Sequence, residues 1–168
     1  MVFRLLRETD AEAYRDVRLR ALQEAPEAFG SSYEEETQWT VAQFAEKLAV
    51  TPERWMLGAF DGKGKLVGVI GWYREARLKI RHKSHFVAVY VEPEHRGKGI
   101  AKQLLSQAID RVRTETDVEQ IQLTVAADSA AHALYRSKGF AEFGREQQGL
   151  KVGEGYVDLC HMVLYTEK

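Results

Sequence analysis

Val89-Tyr90-Val91-Glu92-Pro93-Glu94-His95-Arg96-Gly97-Lys98-Gly99-Ile100-Ala101 is the segment on which the fold turns. Upstream, His85 to Val91 is rich in strand formers and stops at Glu92-Pro93. Downstream, a helix is expected from Lys98 to about Thr114, with Ile100, Leu104, Leu105, Ala108, Ile109 and Val112 on one face. A strand thus feeds a glycine turn that opens directly into a long amphipathic helix. Glycines permit positive φ and close backbone approach. The first N–H groups of the helix lack internal partners and lie at the positive end of its dipole. With the charges of Arg96 and Lys98 added, the segment reads as a phosphate or pyrophosphate cradle.

Outward from this segment, Trp55 to Phe60 and Lys65 to Tyr73 form a hairpin through Asp61-Gly62-Lys63-Gly64. Ile121 to Val125 is a short apolar strand, and Ala130 to Lys138 a short helix stopped by Gly139, with Phe140 folding back on it. Two late strands, about Phe140 to Glu146 and Tyr156 to Tyr165, are joined by a glycine-spaced loop from Gly149 to Gly155. Toward the N-terminus, Phe3 to Arg7 is a short strand. Thr9-Asp10-Ala11-Glu12 has the spacing of a capping box, followed by Tyr14, Val17, Ala21 and Leu22 at helical spacing up to Pro26. Glu27 to Thr37 is irregular and acidic, and Thr40 to Gln43 caps a second helix with Val41, Phe44 and Leu48 as its stripe. The order β-α-α-β-β-β-α-β-α-β-β describes an α/β (α+β) mixed sheet. The central β-α-β, Val87 to Val125, requires a parallel pair.

Composition narrows the setting. The 168 residues fit one domain, 1–168, able to bury about 70% of its unfolded surface. With 24 basic and 25 acidic residues the net charge is −1, which opposes nucleic-acid binding and adhesion to an anionic membrane. The lone Cys160 excludes an internal disulfide, and no spacing of Cys or His provides a metal site. Charge appears too early in Met1 to Glu8 for a signal peptide, and the longest apolar run, Leu66 to Trp72, falls short of the ~20 residues of a spanning helix. A reducing cytoplasm is the expected compartment.

Spacing separates the nucleotide folds that could own the cradle. A P-loop requires G-x-x-x-x-G-K-[ST], and Gly99 is followed only by Ile100-Ala101. A dinucleotide fingerprint places a third glycine where Lys102 stands, and Glu119 precedes the next strand instead of closing it. Arg96-Gly97-Lys98-Gly99-Ile100-Ala101 instead resembles the R-x-x-G-x-A signature of the GNAT superfamily of acyl-CoA-dependent N-acetyltransferases. The V-x-V-x-P run before it and Leu104-Leu105 after it match too. Leu123-Thr124-Val125, Ala131, Leu134-Tyr135 and Gly139-Phe140 look like the family's second motif. The resemblance spans nearly the whole chain and is strongest from Val87 to Phe140.

The resemblance implies a mixed, mostly antiparallel central sheet with one splayed parallel pair and flanking helices. It implies acetyl-CoA as co-substrate, no metal, and direct transfer to the amine of a small molecule or peptide; a homodimer is compatible with it. Val89, Tyr90 and Val91 would offer backbone groups to the pantetheine and acetyl carbonyl, one N–H stabilising the oxyanion, commonly worth about 2.7–4 kcal/mol. Arg96, Gly97, Lys98, Gly99, Ile100 and Ala101 would hold the pyrophosphate. Tyr135 matches the tyrosine that protonates the departing thiolate; the plainer reading is a tyrosine packed at a helix end. Where many members carry Asn against the cofactor, this chain has Asp128, which when ionised only accepts hydrogen bonds. Asp128 is read as the cap of the next helix, with Ser129 the alternative. For the general base, His85 has a suitable imidazole, and Glu35, with Glu34 and Glu36, lies in a segment that often lines the acceptor site. Each has an ordinary alternative as a strand-end histidine or a solvated charge run. A glutamate facing the cleft would imply a cationic acceptor. Asp158 and His161 have opposite strand parity, so at most one faces the cleft. Cys160 is read as packing, and a non-catalytic acyl-CoA-binding sensor or scaffold is the alternative to the enzyme.

Overall fold

The computed structural model describes residues 1–167. Its strands are β1 (Val2–Leu5), β2 (Arg54–Phe60), β3 (Leu66–Arg74), β4 (Lys83–Val91), β5 (Gln120–Ala126), β6 (Ala141–Val152) and β7 (Gly155–Tyr165). They form a seven-stranded sheet in the order β1-β2-β3-β4-β5-β7-β6. All described pairings are antiparallel except β4 with β5, the pair that the central crossover demands. Five α-helices accompany the sheet: α1 (Ala11–Glu24), α2 (Tyr33–Glu36), α3 (Val41–Leu48), α4 (Ile100–Glu115) and α5 (Ala130–Ser137). The sequence pattern thus translates into structure with boundary shifts of one or two residues for most elements.

Each face of the sheet has its own core. On one face, the stripe of α4 packs with Val67, Ile70 and Trp72 of β3, and Tyr135 and Phe140 extend this core toward α5. On the other, Tyr14, Val17, Ala21 and Leu22 of α1 join Phe44 and Leu48 of α3 against Met56, Val69 and Tyr90. Val41 stays exposed, so the stripe of α3 is Phe44 and Leu48 alone. Burial of such side chains, about 1.5–3 kcal/mol each at most, clamps both helix layers to the sheet.

Three local expectations are corrected. Thr9 does not cap α1. Glu8 to Asp10 forms a single 3-10 turn, and Asp10 accepts from the Arg7 N–H at 2.8 Å while taking both arms of the Arg4 guanidinium at 2.9 Å. The stretch after Pro26 is not wholly irregular, because Ser32 caps α2 in a reciprocal box with Glu35. The Gly149–Gly155 segment is no free loop: Leu150, Lys151 and Val152 pair with Val157, Tyr156 and Gly155 in the β6–β7 hairpin.

Arg4 holds the Asp10 carboxyl below its ordinary range, with a further contribution from the Arg7 N–H. A depressed folded pKa stabilises the folded state above the unfolded value near 4 and loses that contribution as pH falls through the folded value. Asp10→Asn should therefore destabilise the protein by about 1 kcal/mol at neutral pH. In urea unfolding, its gap from the parent should narrow below about pH 4; a gap that widens in acid contradicts this.

Candidate functional site

The sheet opens at its one parallel pair. Strands β4 and β5 are in register only at Lys83↔Gln120, Ser84↔Ile121 and His85↔Gln122; beyond His85 they diverge. On the other side of β4, the register with β3 passes from Val69↔Tyr90 to Gly71↔Val87, so Ile70 faces two residues, Ala88 and Val89. This is a β-bulge, and Ala88 sits in the left-handed region at φ 57°. Such a conformation in a non-glycine residue costs on the order of 1–3 kcal/mol and must be imposed by its surroundings. Here the bulge lies at the mouth of the divergence and leaves ladder groups of β4 without regular strand partners.

The turn after β4 is shaped by both glycines and by ion pairs. Gly97 (φ 76°) and Gly99 (φ 78°) take left-handed backbone that β-carbons would strain, and Gly99 is the N-cap of α4. Val89 is half-buried, Val91 and Ile100 are buried in the core, and Ala101 is half-buried beneath the turn. Lys98 is exposed with no ion-pair partner among the described residues. Arg96 is already engaged: its Nε donates to the Val91 carbonyl at 2.9 Å, and its fork meets Glu24 at 2.7 and 3.1 Å. The buried Tyr90 hydroxyl donates to the same carboxylate at 3.0 Å. Arg96 holds the Glu24 carboxyl below its ordinary range. Burial, then Glu24, pushes the Tyr90 phenol up to about 12. Arg20, one turn earlier on α1, pairs with Glu94 and with the buried Glu92, and Lys65 reaches Glu92 from the hairpin at 2.8 Å. The cradle is therefore tied to α1 by ion pairs at both of its ends.

A cleft of about 700 Å³ runs from the divergence across the α1 face of the sheet. On its floor, Arg54, Tyr73, His85 and Gln122 occupy one register row across β2, β3, β4 and β5. His85 Nε2 meets Glu75 Oε1 at 2.8 Å, and the ring stacks on Tyr73 at 4.8 Å. No described residue engages His85 Nδ1. Across the gap, His161 bonds Thr124 through Nδ1 and Glu146 through Nε2, both at 3.0 Å. As parity requires, Asp158 turns elsewhere, accepting from the Gln148 N–H at 2.9 Å and from Arg145 at 3.2 Å. Phe143 and His161, and not the Gly149–Gly155 hairpin end, form the cleft wall on that side.

The three consecutive glutamates part company. Glu34 and Glu35 are exposed, and the Glu35 carboxylate bonds back to the Ser32 N–H and hydroxyl in the capping box. Glu36 alone lines the cleft, 3% exposed, with both oxygens taken by the Arg18 guanidinium at 2.9 to 3.3 Å. Glu35 is thus no candidate for the base. The one glutamate that faces the cleft does so as half of a neutralised pair, and so does not argue for a cationic acceptor. Asp128 is not the cap either: it lies exposed at φ 58°, while Ser129 accepts from the His132 N–H at 3.1 Å. Tyr135 is 5% exposed on α5, its ring edge-on to Phe140 at 5.8 Å, and burial raises its phenol well above the ordinary value. No described residue hydrogen-bonds the Tyr135 hydroxyl. Cys160 is 1% exposed in the core, and burial pushes its thiol up, which disfavours a thiolate nucleophile.

A splayed parallel pair, a bulged strand and a glycine turn on a helix N-terminus occur here in one contiguous site. Residues 18–140 match the Acetyltransferase (GNAT) family. The chain belongs to that family. N-alpha-acetyltransferase RimI of Mycobacterium tuberculosis is 34% identical over 116 residues, covering 68% of each chain. Spermidine N(1)-acetyltransferase of Vibrio cholerae is 29% identical over 110 residues, 64% of this chain and 61% of that one, so the chain spans about three fifths of that relative's length. The solved phosphinothricin acetyltransferase of Sinorhizobium meliloti, in complex with acetyl-CoA, superposes with a TM-score of 0.83 at 19% identity, over 98% of this chain and 87% of that one. At that identity the likeness shows a shared fold. No helix among the described residues of this GNAT chain is long and apolar enough to cross a membrane.

Several site residues escaped the sequence reading. Arg18 lies four residues after Tyr14, on the edge of the buried stripe, and that spacing was a usable signal. Ala88 carried none, because alanine does not mark positive φ. Glu24 and Glu75 are ordinary surface glutamates until tertiary structure brings Arg96 and His85 to them. Removing one partner of a pair as buried as Arg18–Glu36 leaves an uncompensated charge. Arg18→Ala should destabilise by about 3 kcal/mol in chemical denaturation, with Arg18→Met plus Glu36→Leu recovering much of the loss. A loss below about 1 kcal/mol in the single variant would show that water already screens the pair.

Proposed function

We propose that this protein is an N-acetyltransferase that moves the acetyl group of acetyl-CoA directly to a primary amine. The observation that carries the reading is the divergence of β4 from β5 beside the bulge at Ala88–Val89, with the His85–Glu75 pair facing the same opening. The divergence supplies a slot lined by free backbone groups, and the orphan N–H groups of the α4 N-terminus with Lys98 fit the coenzyme's phosphates. Arg96 shapes the turn through Val91 and Glu24.

Within that frame the roles follow from hydrogen bonding. Glu75 accepts from His85 Nε2–H and so leaves Nδ1 as the acceptor for a proton from the incoming amine. The other groups of the cleft are committed: Glu36 to Arg18, and both nitrogens of His161 to Thr124 and Glu146. As the amine nitrogen bonds to the acetyl carbon, backbone N–H groups at the bulge stabilise charge on the carbonyl oxygen. As the tetrahedral intermediate collapses and the C–S bond breaks, the neutral Tyr135 hydroxyl donates to the departing thiolate as the acid of the step. The burial of Cys160 favours direct transfer over an acyl-enzyme, and its free thiol suits the reducing cytoplasm in which we place the enzyme.

The open cleft favours catalysis over a binding-only module. Thiol release from acetyl-CoA across a panel of amines tests the reading. Acetyl-CoA should raise the melting temperature of the parent, Tyr135→Phe and His85→Gln alike. Both variants should lose about 10²-fold or more in kcat. A melting shift without thiol release for any amine would establish the sensor reading instead.

A further inference from the structure

The charges of the cleft do not cancel. Arg18 closes on Glu36, His85 on Glu75 and His161 on Glu146. Two other basic side chains line the cleft without a carboxylate partner among the described residues. The exposed Lys47 holds its ammonium 5.4 Å from the centre of the Trp39 ring. Arg54 donates one Nη2 bond to the Glu46 carbonyl at 2.6 Å, which leaves the rest of its fork unengaged and sets its charge beside the residue preceding Lys47. The neighbouring carboxylates do not compensate: Glu53 is held by Arg81 at 3.1 Å, and neither Glu53 nor Glu46 lines the cleft. Two cations uncancelled by a carboxylate therefore line the same cleft, one on α3 and one anchored to the α3 backbone beside it. Arg54 belongs to the same register row as His85, with the Tyr73 ring between them. Two strand spacings, about 10 Å, separate their backbones.

We propose that the acceptor carries a carboxylate besides its amine, and that Lys47 and Arg54 form the subsite that receives it. The proposal rests on the acetyl-transfer reading and names the substrate class: an aminocarboxylate with an apolar or aromatic body seated between Tyr73 and Trp39. Arginine meets a carboxylate with two parallel donors, and lysine adds a point charge. A polyamine would bring cations to this subsite and be repelled. A free amino acid and a short peptide with its own C-terminal carboxylate share this chemistry.

Calorimetric titration of products into the coenzyme-A-loaded protein tests the subsite without relying on turnover. N-acetylphenylalanine or N-acetyl-glycylphenylalanine should bind at least about tenfold more tightly than N-acetylphenethylamine, and the tighter of the two tells the free amino acid from the peptide. Lys47→Gln combined with Arg54→Gln should shrink that ratio to about threefold or less. Lys47→Gln alone, at an exposed position, should move it the same way. Equal binding, preference for the carboxylate-free product, no binding of any, or a ratio that survives both substitutions overturns the proposal. The preference without thiol release in the amine panel would leave the subsite standing and overturn acetyl transfer. Thiol release without the preference would do the reverse.

Discussion

Everything in this molecule depends on a parallel strand pair that stops pairing. Three residues of β4 and β5 are in register and then the strands separate, although β5 continues to pair with β7 as far as Ala126. Backbone groups facing that gap have no ladder partner, and an unpaired polar group in a sheet interior is costly unless water or a ligand meets it. The gap persists because both strands are held from outside. Strand β4 is held by β3 through the bulge, β5 is held by β7, and the two cores grip the helix layers on either face. The strain at Ala88 belongs to the same arrangement, since the extra residue of the bulge lies where the divergence begins.

The second constraint is the coupling of the glycine turn before α4 to α1. Arg20 with Glu92 and Glu94, and Glu24 with Arg96, join the helix that walls the cleft to the turn that opens α4. The Tyr90 hydroxyl shares the Glu24 carboxylate, so burial of a strand residue and the position of an exposed arginine are set together. Exposed pairs contribute little alone; here several converge on one short turn and act as a network that restricts its geometry. Arg96, its fork taken up by Glu24, acts as a brace for the backbone of the turn through the Val91 carbonyl.

How much of this was legible can be seen at particular residues. The strand–glycine–helix unit was readable because Gly97, Gly99 and the α4 stripe are local signals with local causes. The Asp61–Gly64 turn was readable for the same reason: Asp61 accepts from the Lys63 and Lys65 N–H groups at 2.9 Å within the turn itself. Caps were only half legible. Thr40 caps α3 as expected, but Ser32 and Ser129 took roles that neighbouring residues could equally have filled, and Asp10 turned its carboxylate back to Arg4 and the Arg7 N–H instead of capping α1. The run Glu34-Glu35-Glu36 left open which glutamate faces the cleft, because a helical turn rotates successive side chains by about 100° and only tertiary packing picks out Glu36.

The sequence by itself determined the order of the strands and of every α-helix but α2, the parallel crossover, the glycine turn at a helix N-terminus and the family resemblance, all of which arise from patterns within short windows. Tertiary structure alone decided which charges remain unpaired. Neutrality over the whole chain conceals Arg18 cancelled by Glu36, His85 oriented by Glu75, and Lys47 with Arg54 left to face the cleft. The reason is physical: hydrogen-bonded turns and caps join residues a few positions apart, whereas ion pairing depends on distances that only the packed sheet and helices establish.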